Sequence, residues 1–378
     1  MGCKQRLPRR LLALGIAVFI LALLAPAAAQ AHGPVDPSGS TYLARITHVP
    51  AGLQAKAIDG DLRLWMRASP SLNVYVIDYR GARYLHFGPR GVWVNENSAM
   101  YFLNQIPPVT PSTDLGPDTR PDWHRVTTGH TYVWHDGRLH AGATQARLPG
   151  ARFAGDWSVP LRIDGAAAAI RGGLYYAPPP SPVWFWPVAV VLGCVLAGVR
   201  LRRPALDLRL ARISGALALT GFVVASIGHQ LHGRPGVSTG NVLALVVELA
   251  AAAVAAWWLY TGNPRWLVLA AIAALTLWQG VSQIAALEDG WVLLAVPAVL
   301  GRVAVAGCLA GGAGLIPIVL VQAERVARTS GPAAGKDPAA GKDPAAGEDP
   351  AAGEDPAAGE DPAAGDEWED DEAWEPSA

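Results

Sequence analysis

Long apolar segments constrain the fold of this 378-residue chain more than any other feature of its sequence. A run of roughly 20 apolar residues is long enough to cross a bilayer as a helix. Five such segments lie in the second half of the chain, at about 183–199, 211–230, 241–260, 266–286 and within 291–321. The last segment is too long for one untilted helix, and Gly301 with Arg302 can divide it. The sequence is therefore compatible with either one helix or two in this segment. We therefore predict an all-α bundle of about five transmembrane helices.

Residues 1–31 have the pattern of a secretory signal peptide. Four basic residues precede the apolar run 11–24, and small residues at A-x-A spacing follow it. Cleavage after Ala29 or after Ala31 fits the spacing equally well. An uncleaved anchor helix is the alternative, but the run is short for a membrane span. We expect the segment that follows to be exported.

Basic residues beside the apolar segments predict the orientation of the membrane domain, 181–324, because loops rich in Arg and Lys stay in the cytoplasm. One side carries Arg200, Arg202, Arg203, Arg209, Arg212, Arg265, Arg325 and Arg328, whereas the loops 231–240 and 287–290 on the other side contain only Arg234. This asymmetry puts the C-terminus in the cytoplasm and residues 32–180 outside. A cleaved signal peptide requires the same orientation, so we predict a multi-pass protein of the cytoplasmic membrane.

An acidic segment, 325–378, ends the chain. From Pro332 it repeats every six residues as PAAGKD, PAAGED or PAAGDE, and it closes with WEDDEAWEPSA. Proline and glycine in every repeat oppose a continuous helix, and the repeats have little apolar surface to bury, so we predict a disordered tail. It is interpreted as a solvated spacer or, alternatively, as a docking peptide for a basic protein partner, with Trp368 and Trp374 as anchors.

Residues 32–180 have the pattern of a β domain. Short alternating or β-branched runs recur between turn signals: YLARITHV, LQAKAI, LRLWMRA, NVYVIDY, RYLHF, GVWVN, TYVWH and WSVPLRI. Asp136-Gly137, between TYVWH and RLHA, is the strongest hairpin signal. The three cysteines, Cys3, Cys194 and Cys308, all lie outside this domain, so we expect no disulfide framework in it. We predict an extracytoplasmic antiparallel β-sandwich, Ig-like in general form.

These runs resemble a family of uncharacterised envelope proteins of high-GC Gram-positive bacteria. The likeness rests on DLRLWMR, YLHFGPRGVWVNENSAMYFLNQ, WHRVTTGHTYVWHDGRLH, DWSVPLRIDG and LYYAPPP, and it covers about 40–180 and, more loosely, the helices. Family members usually read roughly WHDHRIHW in the hairpin, where this chain has Gly137 and Ala141 in place of a histidine and an aromatic. The resemblance implies an exported β domain with a WHDxRxH motif before transmembrane helices, and no established chemistry.

Histidines near the predicted hairpin and at the predicted mature N-terminus suggest a copper site. If cleavage follows Ala31, His32 presents an α-amine and an imidazole together, a pair that chelates Cu(II) in a tetragonal N-donor geometry. Such a start is similar to that of exported copper-resistance proteins of the C type. His135, His140 and Asp136 are the candidates for further donors. In a two-residue turn, His135 and His140 point to opposite faces unless a bulge intervenes, so the alternative is a signal-peptide junction with no metal role.

Other aromatic and polar residues of this domain have structural interpretations. His86 lies in an alternating run with Tyr84 on its own face, and we expect it to be structural or half-exposed. Four tryptophans are predicted to fill the sandwich core: Trp93, Trp123, Trp134 and Trp157. Asn95, Asn97 and Asn104 lie in turn-prone sequence and are predicted to bond local backbone groups.

Polar residues also lie toward the outer ends of the predicted spans: His229, His232, Glu248, Gln279, Gln283 and Arg302. A charge in hydrocarbon is costly and normally has a partner. Glu248 and Arg302 are predicted at similar depth, so we expect that they can form an ion pair. The cluster is interpreted as a single pair that fixes helix packing or, alternatively, as a polar cavity that holds a small cation.

Several classes of function are not expected. The sequence has no Gly-x-Ser-x-Gly elbow, phosphate loop, Cys-x-x-Cys pair or paired catalytic carboxylates, so we expect no enzymatic activity. A basic patch with interleaved aromatic residues would indicate a nucleic-acid partner, and the sequence contains none. Our interpretation is a non-enzymatic envelope protein whose exported domain binds copper or another transition metal. The alternatives are a sensor or scaffold that binds a partner through the outer domain or the tail, and a component of a small-cation transporter.

Overall fold

The structure, a computed structural model, describes residues 36–144, 152–232, 236–262 and 265–330. The predicted signal peptide, His32 and the acidic repeats lie outside these residues. The described chain is antiparallel β structure in its first half and helical in its second, as the sequence predicts. The last helix extends to Ser330, past the predicted beginning of the tail at 325.

Three antiparallel sheets contain all the described strands. The strands are β1 Gly39–Ser40, β2 Tyr42–His48, β3 Leu53–Ile58, β4 Arg63–Ala68, β5 Val74–Ile77, β6 Arg83–Gly88, β7 Gly91–Asn95, β8 Trp123–Thr127, β9 Thr131–His135, β10 Phe153–Ile163, β11 Ala166–Tyr176 and β12 Trp291–Val292. The seven-stranded sheet has the order β2-β11-β10-β5-β6-β7-β8, the three-stranded sheet has the order β3-β4-β9, and β1 pairs with β12. Each run predicted as a strand contains one.

Alternating burial along the strands builds one core shared by the two larger sheets. In β10, Trp157 and Leu161 are buried whereas Ser158 is exposed, because successive side chains of a strand point to opposite faces. One hydrophobic cluster joins Leu64, Met66 and Trp134 of the three-stranded sheet to Val76, Phe87, Val92 and Ile170 of the seven-stranded sheet. Burial of each large apolar side chain contributes about 1.5–3 kcal/mol, so this core stabilises the cysteine-free domain.

The predicted Asp136-Gly137 hairpin is wrong. Strand β9 pairs with β4, and Gly137–Thr144 form a 3-10 helix instead of a returning strand. The reason is local: the Asp136 carboxylate accepts the Arg138 backbone N–H (3.2 Å), and the Gly137 N–H donates to the Tyr79 hydroxyl (2.6 Å). These bonds use the backbone N–H groups of Gly137 and Arg138, which are then not available for a hairpin turn and its returning strand. The helical turn also places Leu139 in the core.

The helices that follow are long and apolar. The described helices are α1 Ala99–Leu103, α2 Trp186–Arg200, α3 Pro204–Gln230, α4 Thr239–Tyr260, α5 Trp266–Ser282, α6 Ala285–Glu288 and α7 Ala298–Ser330. Within the described residues, four helical segments are long and apolar enough to cross a membrane: Pro182–Arg200 (the 3-10 helix Pro182–Phe185 followed by α2), Pro204–Gln230, Thr239–Tyr260 and Ala298–Val326. The predicted span 266–286 is instead the shorter apolar helix α5, followed by α6. The last span is one helix, because β12 takes up residues 291–292 and α7 begins only at Ala298.

Helix α7 packs along α3 through small residues. A Cβ added at Gly221 of α3 would lie 2.5 Å from the Ala304 carbonyl oxygen, and one at Gly311 of α7 would lie 2.5 Å from the Ser214 carbonyl oxygen. Small residues let membrane helices approach this closely. On outward faces, Leu243 and Trp278 expose large apolar side chains, as helices in contact with lipid do.

A short sheet joins the β domain to the helices. Gly39 and Ser40 of β1 pair with Val292 and Trp291 of β12, which leads into α7. The Ser38 hydroxyl donates to the Gln283 carbonyl oxygen at the end of α5 (2.9 Å), and the Leu293 N–H donates to the Ser38 carbonyl oxygen (2.8 Å). We call this contact, formed by residues 38–41 and 283–293, the joint. It attaches the start of the β domain to the helical domain through bonds distant in sequence.

Candidate functional site

A histidine and a buried aspartate meet beside the three-stranded sheet. The turn between β3 and β4 has Asp59 at φ 57° and Gly60 at φ 79°, left-handed conformations that aspartate and glycine tolerate best. This turn presents Asp61, which is 4% exposed. The Asp61 carboxylate bonds Nδ1 of His140, whose side chain is 52% exposed. The His140 ring also contacts the edge of Tyr42, with ring centroids 5.0 Å apart.

The bond to Nδ1 leaves the other ring nitrogen of His140 available to a ligand. Histidines that bind metals commonly donate one N–H to a carboxylate and bind the metal through the remaining nitrogen. His140 and Asp61 form this arrangement, with a buried carboxylate behind a half-exposed imidazole. We call this arrangement the Asp61–His140 pair.

His135 is close to this pair. It ends β9 and lies opposite Arg63 of β4. The pKa of His135 is lowered from its ordinary value because partial burial disfavours the imidazolium form, and this effect outweighs attraction by the Asp136 and Asp61 carboxylates. The neutral imidazole is the form that binds metal ions.

Arg63 connects this region to the beginning of the described chain. Its guanidinium forms an ion pair with the buried carboxylate of Asp59, and its Nη2 lies 3.8 Å from the Asp36 carboxylate. Asp36, three residues before β1, therefore lies beside this cluster. His32 itself lies outside the described residues.

Asp136, which the sequence suggested as a metal donor, has a structural role in the fold. It is fully buried, and its Oδ2 accepts hydrogen bonds from Trp134 Nε1 (2.9 Å) and Arg138 Nη2 (2.7 Å). Its Oδ1 accepts from Arg138 Nε (2.8 Å). Every oxygen is therefore bonded within the protein, and the bidentate arginine neutralises the charge that a cation would need.

Across the described ranges, no group of three or more histidine, cysteine, aspartate or glutamate side chains has an arrangement that can hold a metal ion. The Asp61–His140 pair and the nearby His135 do not make up such a group by themselves. Asp61 was missed by sequence reasoning. Its signal was the Asp-Gly-Asp turn of residues 59–61, which directly precedes the strand that pairs with TYVWH.

The polar residues of the helices form two separate groups, and neither pairs Glu248 with Arg302. Gln230 Nε2 donates to Glu248 Oε1 (2.9 Å), and Asn241 Nδ2 donates to Gln230 Oε1 (3.2 Å). Glu248 Oε2 is shielded from solvent and forms no hydrogen bond with any described residue. His229 lies in the last turn of α3, and the His232 N–H donates to its carbonyl oxygen (3.3 Å).

The second group lies between α3 and α5. Gln279 Nε2 lies 3.5 Å from Ser226 Oγ, and Gln283 Nε2 lies 3.4 Å from the Ala225 carbonyl oxygen. Both Ser226 and Gln283 are buried. These contacts connect two helices through side-chain amides, which suits packing in an apolar environment.

Arg302 bonds the joint. Its Nε donates to the Ala286 carbonyl oxygen (3.0 Å), and its Nη2 donates to the carbonyl oxygens of Asp289 (2.9 Å) and Gly290 (3.1 Å). The predicted ion pair is wrong because α7 begins at Ala298, so Arg302 lies near the helix end and not deep in a span. Its positive charge faces carbonyls at the C-terminal end of α6, where a cation is favourable.

The outer face of the seven-stranded sheet carries an aromatic stack. The His86 ring stacks between Tyr75 (4.4 Å between centroids) and Trp93 (5.2 Å), and Trp123 meets it edge-on (5.8 Å). A bulge pairs Ile77 with Arg83 but Val76 with Leu85, which turns the extra residue, Tyr84, into the core. Tyr84 therefore does not share the face of His86.

The structure corrects two of the four core tryptophans. Trp134 and Trp157 are buried, whereas Trp93 and Trp123 are only partly buried. The asparagines bond backbone groups as predicted, and Asn95 Oδ1 accepts the nearby Asn97 N–H, but their amide groups also bond carbonyls distant in sequence. Asn95 Nδ2 donates to the Arg83 carbonyl oxygen, Asn97 Nδ2 to that of Arg120, and Asn104 Nδ2 to that of His135.

No protein-family model, curated protein or solved structure matches this chain. Function is therefore inferred from the geometry of the described residues.

Proposed function

We propose that this chain is a non-enzymatic integral membrane protein of the cell envelope whose exported β-sandwich, Ig-like in general form, binds copper. The observation that carries the proposal is the Asp61–His140 pair. A buried carboxylate fixes Nδ1 of a half-exposed histidine, so the other nitrogen is available to a metal ion. Imidazole is a ligand that suits Cu(II).

The amino terminus of the mature chain supplies the remaining donors in this proposal. Cleavage after Ala31 gives His32 a free α-amine beside its imidazole, which together chelate Cu(II). His32 lies four positions before Asp36, and an extended chain of that length spans at most about 14 Å. Asp36 lies beside Arg63, opposite His135 in the sheet register. The site then combines His32 and His140, with His135 as a further donor and Asp61 orienting His140.

Copper titration of the full mature chain in detergent tests this proposal. We expect tight one-to-one binding, an affinity loss of about 10–100-fold in Asp61→Asn, because it removes the group that orients His140, and a larger loss in His140→Ala. His130→Ala, at the residue that precedes β9, is the matched control and should bind as the native chain does. Equal binding by His140→Ala and the native chain contradicts the site.

The native N-terminus decides whether the amine can take part. N-terminal sequencing of the mature chain is expected to begin at His32. A mature chain that begins at Gln30 has no such chelate, and the proposal then fails for the native protein.

The proposed orientation places residues 32–180 outside and the C-terminus in the cytoplasm. It is supported by the arginine asymmetry and by the position of the β domain at the N-terminal end of α7, opposite the end where Arg325 bonds Asp207 (2.8 Å). A cysteine introduced at Gly116, an open surface position, should react with an impermeant maleimide on intact cells, whereas one introduced at Ala378 should not. The reverse labelling contradicts the orientation.

A sensor is the second candidate, and the joint favours it. Residues 38–41 of the β domain bond directly to the segment that leads into α7, the helix that packs along α3. A metal or partner that binds near Asp36 is therefore only a few residues along the chain from the joint, which contacts the helices. If the chain is a sensor, Cu(II) should change the labelling rate of a cysteine placed in α7, and substitution of His140 should abolish that change.

A further inference from the structure

A cavity opens at the edge of the β domain, away from the Asp61–His140 pair. The seven-stranded sheet is wider than the three-stranded sheet, so the inner face of its edge strands, β7 and β8, is only partly covered. Helix α1 and strand β9 border the uncovered part. The cavity between them has a volume of about 220 Å³.

Tyrosines from three different elements line this cavity. Tyr84 comes from β6, Tyr101 from α1 and Tyr132 from β9, and Glu96 follows β7 on the same side. Burial raises the pKa of Tyr132 to about 12, with a smaller contribution from Tyr101, so its phenol stays neutral at physiological pH. The walls therefore present the partly exposed rings of Tyr101 and Tyr132 and one carboxylate.

Two polar side chains of the cavity, Tyr84 and Glu96, have few partners among the described residues. Tyr84 is 1% exposed, and no described residue forms a hydrogen bond with its hydroxyl. Buried hydroxyls of this kind normally have a partner. The Glu96 carboxylate accepts only a long hydrogen bond from the Tyr101 hydroxyl (3.4 Å) and forms no ion pair with a described residue. Asn104, by contrast, is fully used, since its side chain bonds Met100 and both backbone groups of His135.

We propose that this cavity, formed by Tyr84, Tyr101, Tyr132 and Glu96, binds a small organic cation of the alkylammonium class. Aromatic faces attract ammonium groups through the negative charge of their π-systems, and recognition of quaternary ammonium groups uses such rings. No described basic residue neutralises the negative charge of Glu96, so this carboxylate can act as the counterion of the bound cation. The bound cation satisfies the carboxylate, and a hydroxyl on the ligand satisfies Tyr84.

The groups facing the cavity from each side agree with this choice. Glu96 is the only carboxylate among the described lining residues, and His124 on β8 is the only basic one. His124 is exposed at the rim, so it does not neutralise Glu96 inside. A neutral sugar would bond the tyrosine hydroxyls but would leave the charge of Glu96 without a counterion. An anion would be repelled by the Glu96 carboxylate.

Choline is the probe for this site, with 3,3-dimethylbutan-1-ol as its uncharged analogue of the same shape. The full chain in detergent is titrated with each compound by calorimetry. We expect saturable choline binding, at least about tenfold weaker binding of the uncharged analogue, and a similar loss for choline in Glu96→Gln. Glu288→Gln, exposed on α6, is the matched control and should bind choline as the native chain does.

Tyr132→Phe separates the hydroxyl from the ring. It should keep choline binding within about threefold because it retains the aromatic face, whereas Tyr132→Leu should lose it. The thermal unfolding midpoint of each variant reports whether the domain is folded. Equal affinity for choline and its uncharged analogue, or no saturable binding at millimolar choline by a folded chain, overturns the proposal.

Discussion

Nη2 of Arg302 lies 2.9 Å from the carbonyl oxygen of Asp289, so this arginine bonds the segment to which the β domain is attached. Asp289 in turn accepts a hydrogen bond from the Thr41 hydroxyl (2.8 Å) through its carboxylate. One residue of α7 is thus connected, through a single intermediate, to the residue between β1 and β2 of the β domain. This connection makes Arg302 a structural residue of the joint.

Replacement of Arg302 by methionine should destabilise the joint. The substitution retains an apolar side chain but leaves the carbonyls of Ala286, Asp289 and Gly290 without their donor, which costs roughly 1–3 kcal/mol. We expect faster proteolysis at residues 177–182, which follow β11 and lead to the helices, in Arg302→Met, with the β domain still folded. Arg209→Met, at an exposed position of α3, is the control and should be cleaved at the native rate.

Gly290→Ala should weaken the joint independently of charge. A Cβ at Gly290 would overlap the backbone carbonyl of Ala177, which cannot move as a flexible side chain can. Overpacking of this kind costs typically about 1–3 kcal/mol. Thermal unfolding of the full chain should show a lower midpoint for Gly290→Ala, whereas Gly116→Ala, with open space at its Cβ, should unfold at the native temperature. Equal midpoints for both variants would show that the contact is not maintained.

Asp136→Asn should affect stability and not copper. The substitution breaks a buried, bidentate pair with Arg138, and removal of one partner from such a pair costs about 3–5 kcal/mol. We expect a large fall in the unfolding midpoint while the copper affinity at low temperature stays within about threefold of the native value. Asp156→Asn, exposed on β10, should change neither quantity. A selective loss of copper affinity in Asp136→Asn would restore Asp136 as a metal ligand.

Stability of the β domain should fall as the pH falls below about 6.5. Burial, and to a lesser extent the charge of Arg83, lowers the pKa of His86 from its ordinary value of 6.5. The folded state therefore binds fewer protons than the unfolded state in this range, and stability is lost on acidification. In metal-free buffer, His86→Phe should flatten the dependence of the unfolding midpoint on pH, whereas His48→Gln should keep it. An unchanged slope in His86→Phe would contradict the assignment.

Sequence patterns predicted the parts of this fold that depend on local periodicity. Alternation in runs such as WSVPLRI identified the strands, since one face of each strand is buried regardless of its partner. Apolar length identified the helices for a similar reason. Hydropathy could not predict the exact beginning of α7. Trp291 and Val292 are as apolar as residues of the membrane helices, but they form a strand that pairs with β1.

The candidate site was less predictable because it depends on residues distant in sequence. Asp61 and His140 are separated by 79 positions, and only the fold brings the β3–β4 turn to the 3-10 helix after β9. The hairpin prediction at Asp136 failed for the opposite reason. The Asp136 carboxylate bonds Arg138, only two residues away. Local side-chain hydrogen bonds of this kind compete with the backbone pairing of two strands in a hairpin.

Electron paramagnetic resonance of the full mature chain with one equivalent of Cu(II) tests the copper proposal most directly. We predict an axial spectrum with superhyperfine splitting from several nitrogens, and a loss of one coupled nitrogen in His140→Ala but not in His130→Ala. An identical spectrum for His140→Ala and the native chain, or a spectrum of free aqueous Cu(II) for the native chain, would contradict it.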